Sequence, residues 1–168
     1  TLNWFVSDLR LINLQENRLT GTVPQGIFSL SALIVLNISV NSLDGGLPSD
    51  ISQTPLLQSL YLNNNNFTGT VPSAIGTWGQ LDDLFFNNNK LSGQLPTQIY
   101  LLADLQSLSV GYSSITGTIP TAIGCLTRLL YYSAECNCLS GTIPTEITDL
   151  TMLTYLNLAG NRHLSGSI

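Results

Sequence analysis

The sequence predicts a repeat solenoid of about seven stacked coils, and three interlocked series of residues predict it. Asparagines fall at 17, 41, 65, 89, 137 and 161, with Ser113 in the missing register. Glycines fall at 21, 45, 69, 93, 117 and 141, and prolines at 24, 48, 72, 96, 120 and 144. Each series steps by 24, and of the seven prolines only Pro55 is off register. Coils therefore begin near 9, 33, 57, 81, 105, 129 and 153, within one domain over 1–168. Residues 1–8 are expected to be the tail of a preceding coil or a divergent cap, with Trp4, Phe5 and Val6 covering the first coil.

One unit, LDDLFFNNNKLSGQLPTQIYLLAD (81–104), shows why each element forms. Leu84-Phe85-Phe86 alternates with period 2, the mark of a short strand with Leu84 and Phe86 inward. Parallel strands of successive coils lie about 4.8 Å apart. A second alternation, Leu91-x-Gly93-x-Leu95, precedes Pro96, whose missing N–H ends pairing and bends the chain into a return segment. That segment keeps one inward anchor, Ile99. No coil can bury its apolar face alone, but a stack can.

The stretch YLNNNNFTGTVP (61–72) looks like amide excess until the period is known. Where each strand ends the chain turns inward, leaving N–H and C=O groups without sheet partners. An asparagine amide supplies two donors and one acceptor, so stacked asparagines satisfy those groups coil after coil. Asn65 holds that register, Asn63 and Asn64 are expected to face solvent, and Asn66 starts the next turn. Ser113 can fill only part of the role, which makes the fifth coil the expected loosest.

The unit LxxLxLxxNxLxGxIPxxI resembles the plant-type leucine-rich repeat. LQSLYLNNNNFTGTVPSAI (57–75) and LQSLSVGYSSITGTIPTAI (105–123) match it almost position by position, and the match runs over about 9–168. The resemblance implies an α/β-class right-handed superhelix with a concave parallel sheet and short 3-10 or irregular convex segments. It also implies an extracellular or cell-surface setting, since its members include ectodomains of receptor-like kinases and receptor-like proteins, and inhibitors of cell-wall polygalacturonases. None of those repeat domains is an enzyme. The paired-cysteine cap usual before the first repeat is absent, coil 7 has an extra residue in NRHL, and the chain ends at Ser167-Ile168, short of the expected proline. A piece of a longer chain is the expectation.

Composition narrows the classes. Hydrophobic residues are 43% and charged ones 9%, which argues for a packed core against disorder. A net charge of −5, with five Lys+Arg spread out, makes no footprint for nucleic acid. No apolar run reaches about 18 residues, so this segment is not expected to enter a membrane. Cys125, Cys136 and Cys138 leave ordinary thiols or one disulfide open; Cys136-x-Cys138 lacks the usual metal spacing and a nearby histidine. His163 is the only histidine and is expected on a surface loop. Asp82-Asp83 and Glu135 show no acid/base arrangement, because consecutive strand residues face opposite ways. Neither catalysis, a metal nor a cofactor is expected.

What remains is recognition. Outward strand positions form two concave columns: Leu11, Val35, Ser59, Asp83, Ser107, Tyr131, Tyr155, and Asn13, Asn37, Tyr61, Phe85, Ser109, Ser133, Asn157. Tyr61 and Phe85 stand on adjacent coils, as do Tyr131 and Tyr155, while coil 5 offers only Ser107, Ser109 and Gly111. A shallow trough between aromatic walls is expected there. Stacking on those walls would take a peptide side chain or a sugar ring, with Asp83 and Glu135 as acceptors. The partner class is thus a protein, a peptide or a cell-wall polysaccharide. Tyr100, on the return segment, is the control, where Tyr100→Ala is expected to cost little affinity unless it loosens the fold. Two sequons, Asn37-Ile38-Ser39 and Asn66-Phe67-Thr68, are candidate glycan acceptors, Asn66 the better exposed. Outward Thr20/Thr22, Thr68/Thr70, Thr116/Thr118 and Ser140/Thr142 raise an alternative, an ice-binding hydroxyl ladder, interrupted at Asp44/Gly46 and Ser92/Gln94. A structural cell-surface module is a further alternative.

Overall fold

A computed structural model describes residues 8–166. The expected cover by Trp4, Phe5 and Val6, and the chain end at Ser167-Ile168, lie outside the described residues. Seven three-residue strands, from Leu11–Asn13 to Tyr155–Asn157, form one parallel sheet in chain order. Its register steps by 24 throughout: Leu11 pairs Val35, then Ser59, Asp83, Ser107, Tyr131 and Tyr155. Both concave columns read from the sequence are therefore present. The middle residue of each strand points inward, so Leu36, Leu60, Leu84, Leu108 and Tyr132 join one continuous core with Leu33, Leu57, Leu81, Leu105 and Leu129.

Proline has a double role. In five coils it ends the flank, and its carbonyl accepts the N–H of the isoleucine three residues on, opening a 3-10 turn. Pro24–Ile27, Pro72–Ile75, Pro96–Ile99, Pro120–Ile123 and Pro144–Ile147 make this bond at 3.0–3.1 Å. Coil 2 is the exception. Asp50 accepts the Ser52 hydroxyl at 2.8 Å and Thr54 donates to the Ile51 carbonyl at 3.2 Å, so local side-chain bonds replace the 3-10 turn ahead of the off-register Pro55. Thr54 stands where coils 1, 4, 5 and 6 carry leucine and coil 3 carries tryptophan. Trp78 of coil 3 fills the space, its indole N–H donating to Ile51 O and Thr54 Oγ1, both at 3.1 Å, and its ring stacking 6.2 Å from Phe28.

The asparagine ladder is present. Asn65 Nδ2 donates to Ile38 O at 3.0 Å and Leu62 O at 3.1 Å, and its Oδ1 accepts from Leu43 N at 3.0 Å. Asn41, Asn89, Asn137 and Asn161 repeat the pattern. Ser113 does not; its hydroxyl reaches only Asn89 O, at 3.4 Å. A feature without a residue signature accompanies the ladder. The residue before each ladder position is left-handed, with φ of 52–57° at Glu16, Val40, Asn64, Asn88, Tyr112 and Cys136. Asn64 is exposed as expected, but Asn63 is half-buried.

The flank strands differ from the expected ladder. Their register steps by 22, with Thr20 opposite Ser42, Thr22 opposite Asp44, Ser92 opposite Ser114 and Thr116 opposite Cys138, and by 23 into the last strand, with Ser140 opposite His163. Equivalent hydroxyls thus slide two residues per coil instead of stacking squarely. A methyl group added at Gly45, Gly93, Gly141 or Gly166 would meet the Cγ2 of Thr22, Thr70, Thr118 or Thr142 at 2.7–3.1 Å. These threonines cover the glycine of the next coil. The glycines are needed both for that approach and for their φ of 72–99°. Gly45-Gly46 also marks a break, since Thr20–Thr22 and Ser42–Asp44 form a separate pair joined to the other five flank strands by one bridge, Gly46–Thr68.

Candidate functional site

The concave sheet brings Tyr61, Asp83, Phe85, Tyr131 and Tyr155 onto one surface in the columns expected, with Ser109 in the second column and Glu135 two residues beyond the strand Tyr131–Ser133. Their arrangement departs from the expectation at coil 5. Tyr61 and Phe85 stack with ring centroids 5.4 Å apart, and Tyr131 and Tyr155 at 4.4 Å and 4°. Between the pairs there is no open trough, because Phe85 and Tyr131 also stack, at 6.2 Å. Their strands are two spacings apart, about 9.6 Å, so the rings lean inward over the small residues. Ser109 lies beneath, only 4% exposed, and cannot serve as an open contact. The Glu135 carboxylate folds over Gly111, within 2.7–3.0 Å of where a Cβ would stand, and accepts the Ser133 hydroxyl. Space left by small side chains is taken by neighbours at protein packing density. The result is one aromatic row over coils 3 to 7.

Carboxylates border this row. The Tyr61 hydroxyl donates to Asp83 Oδ2 at 2.6 Å, fixing the phenol. Burial, and then Asp83, push Tyr61 up to about 12. Asp82 differs from expectation. It precedes the strand Asp83–Phe85, so strand alternation does not bind it, and its Oδ1 accepts the Ser59 hydroxyl at 3.3 Å on the concave side. Burial first, and Asp83 second, raise its pKa. Two neighbouring carboxylates therefore share the surface beside Tyr61 and Phe85, a grouping that alternation alone conceals. Arg128 is spent elsewhere, paired with Asp104 at 2.7 Å.

Other candidates resolve plainly. Cys125, Cys136 and Cys138 are exposed free thiols. Among the described residues no three His, Cys, Asp or Glu could hold a metal ion, and no helix is long and apolar enough to cross a membrane. Tyr100 is not an inert surface control: it is 5% exposed, and burial pushes its phenol up to about 12. Asn37 is tied on the concave face, its Oδ1 accepting from Ser39 N and Oγ and its Nδ2 donating to Gln15. Asn66 is half-buried, its backbone N–H held by Leu43 O at 2.7 Å.

The leucine rich repeat family model matches residues 7–67. No curated protein sequence matches the chain. Among solved structures, the plant peptide hormone receptor RGFR1, in complex with RGF2, is 38% identical with a TM-score of 0.92. The alignment covers 95% of this chain and 26% of that one. The Arabidopsis receptor kinase HAESA, in complex with the peptide hormone IDA and the co-receptor SERK1, is 34% identical with a TM-score of 0.91, over 95% and 26%. This chain thus spans about a quarter of the length of those receptor chains. The BIR3–SERK2 complex from Arabidopsis thaliana matches at 30% identity and a TM-score of 0.64, over 95% of this chain and 71% of that one. With the 24-residue period, the amide ladder and the proline-opened 3-10 turns, these matches identify the chain as a member of the plant-type leucine-rich repeat family.

Proposed function

We propose that the chain is a non-catalytic, extracellular recognition module that binds an extended peptide along its concave face. The carrying observation is the continuous row Tyr61–Phe85–Tyr131–Tyr155, whose first three rings are half-buried and whose last is exposed. Large rigid rings offer contact area at little entropic cost. Asp82, Asp83 and Glu135 beside the row favour a peptide with a basic side chain over a neutral polysaccharide. Peptide hormones in the complexes of RGFR1 and HAESA support the same reading. In that setting Asn66 is the favoured glycan acceptor, and Asn37, on the binding face, the disfavoured one.

Calorimetric titration with a peptide selected from a synthetic library tests the site. Phe85→Ala and Tyr131→Ala are each expected to cost more than about 1 kcal/mol of affinity. Leu101→Ala, at a residue 71% exposed on the return segment, is the control and should change nothing. Unchanged affinity in both concave variants would move the site off this face.

A further inference from the structure

Away from the concave face, coils 4 to 6 enclose a cavity of about 170 Å³ between the flank strands and the return segments. Gln94, Thr97, Thr116 and Thr118 line it with exposed side chains, which places the opening to solvent there. Tyr100, Ile119, Tyr132 and Leu139 line it with buried ones, 5%, 4%, 1% and 3% exposed.

The two tyrosines are departures from the repeat. At the inward strand position of Tyr132 the other coils carry only leucine or isoleucine: Ile12, Leu36, Leu60, Leu84, Leu108 and Leu156. Two residues on, Ala134 stands where other coils carry the larger Leu62, Phe86, Val110 or Leu158. At the position of Tyr100 the adjoining coils carry Gly76 and Gly124. Neither phenol hydroxyl has a hydrogen-bond partner among the described residues. Burial is the sole cause that raises Tyr100, and burial with the neighbouring Tyr100 phenol raises Tyr132. Neither oxygen is sealed from solvent, since among the described residues Asn87 Oδ1 is the side-chain atom both buried and unpartnered, so each phenol keeps a donor free for an acceptor that enters from the mouth. Trp78 shows the contrast in the same core, with its polar atom fully partnered. An apolar floor, two unengaged donors and a polar mouth are the ingredients of a small-molecule site.

We infer that this cavity is a second binding site, for a small uncharged ring compound whose carbonyl or ether oxygen accepts from the Tyr132 and Tyr100 hydroxyls. The size fits: an apolar cavity of about 150 Å³ admits benzene. No charged side chain lines the cavity, which excludes an ionic ligand.

The test is NMR titration of protein carrying 13C-labelled tyrosine, with cyclohexanone as the accepting probe and benzene as the comparator. Saturable shifts of the Tyr100 and Tyr132 ring signals are expected with cyclohexanone. Tyr132→Phe keeps the ring and removes the donor. It should weaken cyclohexanone about tenfold and leave benzene within about twofold. Far-UV circular dichroism and the remaining tyrosine signals check that the variant is folded. Absence of saturable shifts in the wild type would mean a cavity occupied by water only and would overturn the site. Equal cyclohexanone affinity in wild type and Tyr132→Phe would overturn the role of the hydroxyls.

Discussion

Coils 2 and 5 both break the repeat, and they resolve the break in opposite ways. In coil 2 Thr54 replaces the usual leucine and the 3-10 turn is lost, yet nothing polar is stranded. Trp78 enters from coil 3 and its indole partners both Ile51 and Thr54. In coil 5 Ser113 replaces asparagine and small residues replace the concave side chains. Neighbouring rings close the concave gap, but the inner side keeps a cavity with two unengaged phenols. A departure sealed by a satisfied large side chain is structural. A departure that leaves donors facing open volume invites a ligand, and that is the reason for placing the second site here.

The largest effect should come from reopening coil 2. Trp78→Ala removes a ring 1% exposed and leaves the Ile51 carbonyl with the Thr54 hydroxyl alone as a side-chain donor. The expected loss is about 3–5 kcal/mol in urea unfolding. A loss below about 1 kcal/mol would mean that coil 2 holds itself, and the contrast with coil 5 would fail.

Next in size is the ladder beside it. Asn65→Ala unbinds the Leu43 N–H and leaves the Ile38 carbonyl with Asn41 Nδ2 alone, both in coil 2, and should cost about 1–3 kcal/mol. Asn64→Ala is not wholly silent, because Asn64 holds φ at 57°. It should cost less, about 0.5–1 kcal/mol, through strain alone. Urea unfolding of the two variants orders them, and equal losses would break the assigned register.

These cases show what a sequence of this kind displays. Where one chemical group is needed at one place, as with the amide of Asn65 or the fixed φ of Pro72, the residue repeats and the period reveals the structure. The left-handed position is instead filled by Glu16, Val40, Asn64, Asn88, Tyr112, Cys136 and Gly160, of which only the two asparagines and the glycine favour it, so no single-residue series marks it. The 22-residue slip of the flank is likewise invisible, because the glycines and prolines that border it keep the 24-residue step. Column membership on the concave face was legible; the closing of Phe85 onto Tyr131 was not. It depends on free volume over Ser107 and Ser109, which a one-dimensional pattern does not measure. The same limit hid the burial of Tyr100.

Coil 5 can be repaired. At the other steps of the ladder the N–H of Leu19, Leu43, Phe67, Ile115 and Leu139 donates to the next coil's asparagine at 2.9–3.0 Å. Leu91 faces Ser113 and lacks that amide. Ser113→Asn should supply it and raise stability by about 1 kcal/mol in urea unfolding. A neutral or negative change would show that the looseness of coil 5 lies in its cavity and not in its ladder.

The smallest expected effect tests coil 2 from its exposed side. Val40 has φ of 55°, where a β-branched side chain crowds its own backbone. Its side chain is 38% exposed, and the backbone is held there by Val40 N to Asn63 O at 2.9 Å and Asn17 N to Val40 O at 3.2 Å. The strain is thus imposed by neighbouring coils and not relieved by core packing. Asparagine adopts this conformation readily, as Asn64 and Asn88 do at the same step of the repeat. Val40→Asn should therefore gain about 0.5–1 kcal/mol, and the reverse change Asn64→Val should lose at least as much. Paired urea unfolding curves measure both. If Val40→Asn loses stability instead, the valine makes a contact worth more than its strain, and coil 2 is held by its exposed edge as well as by Trp78.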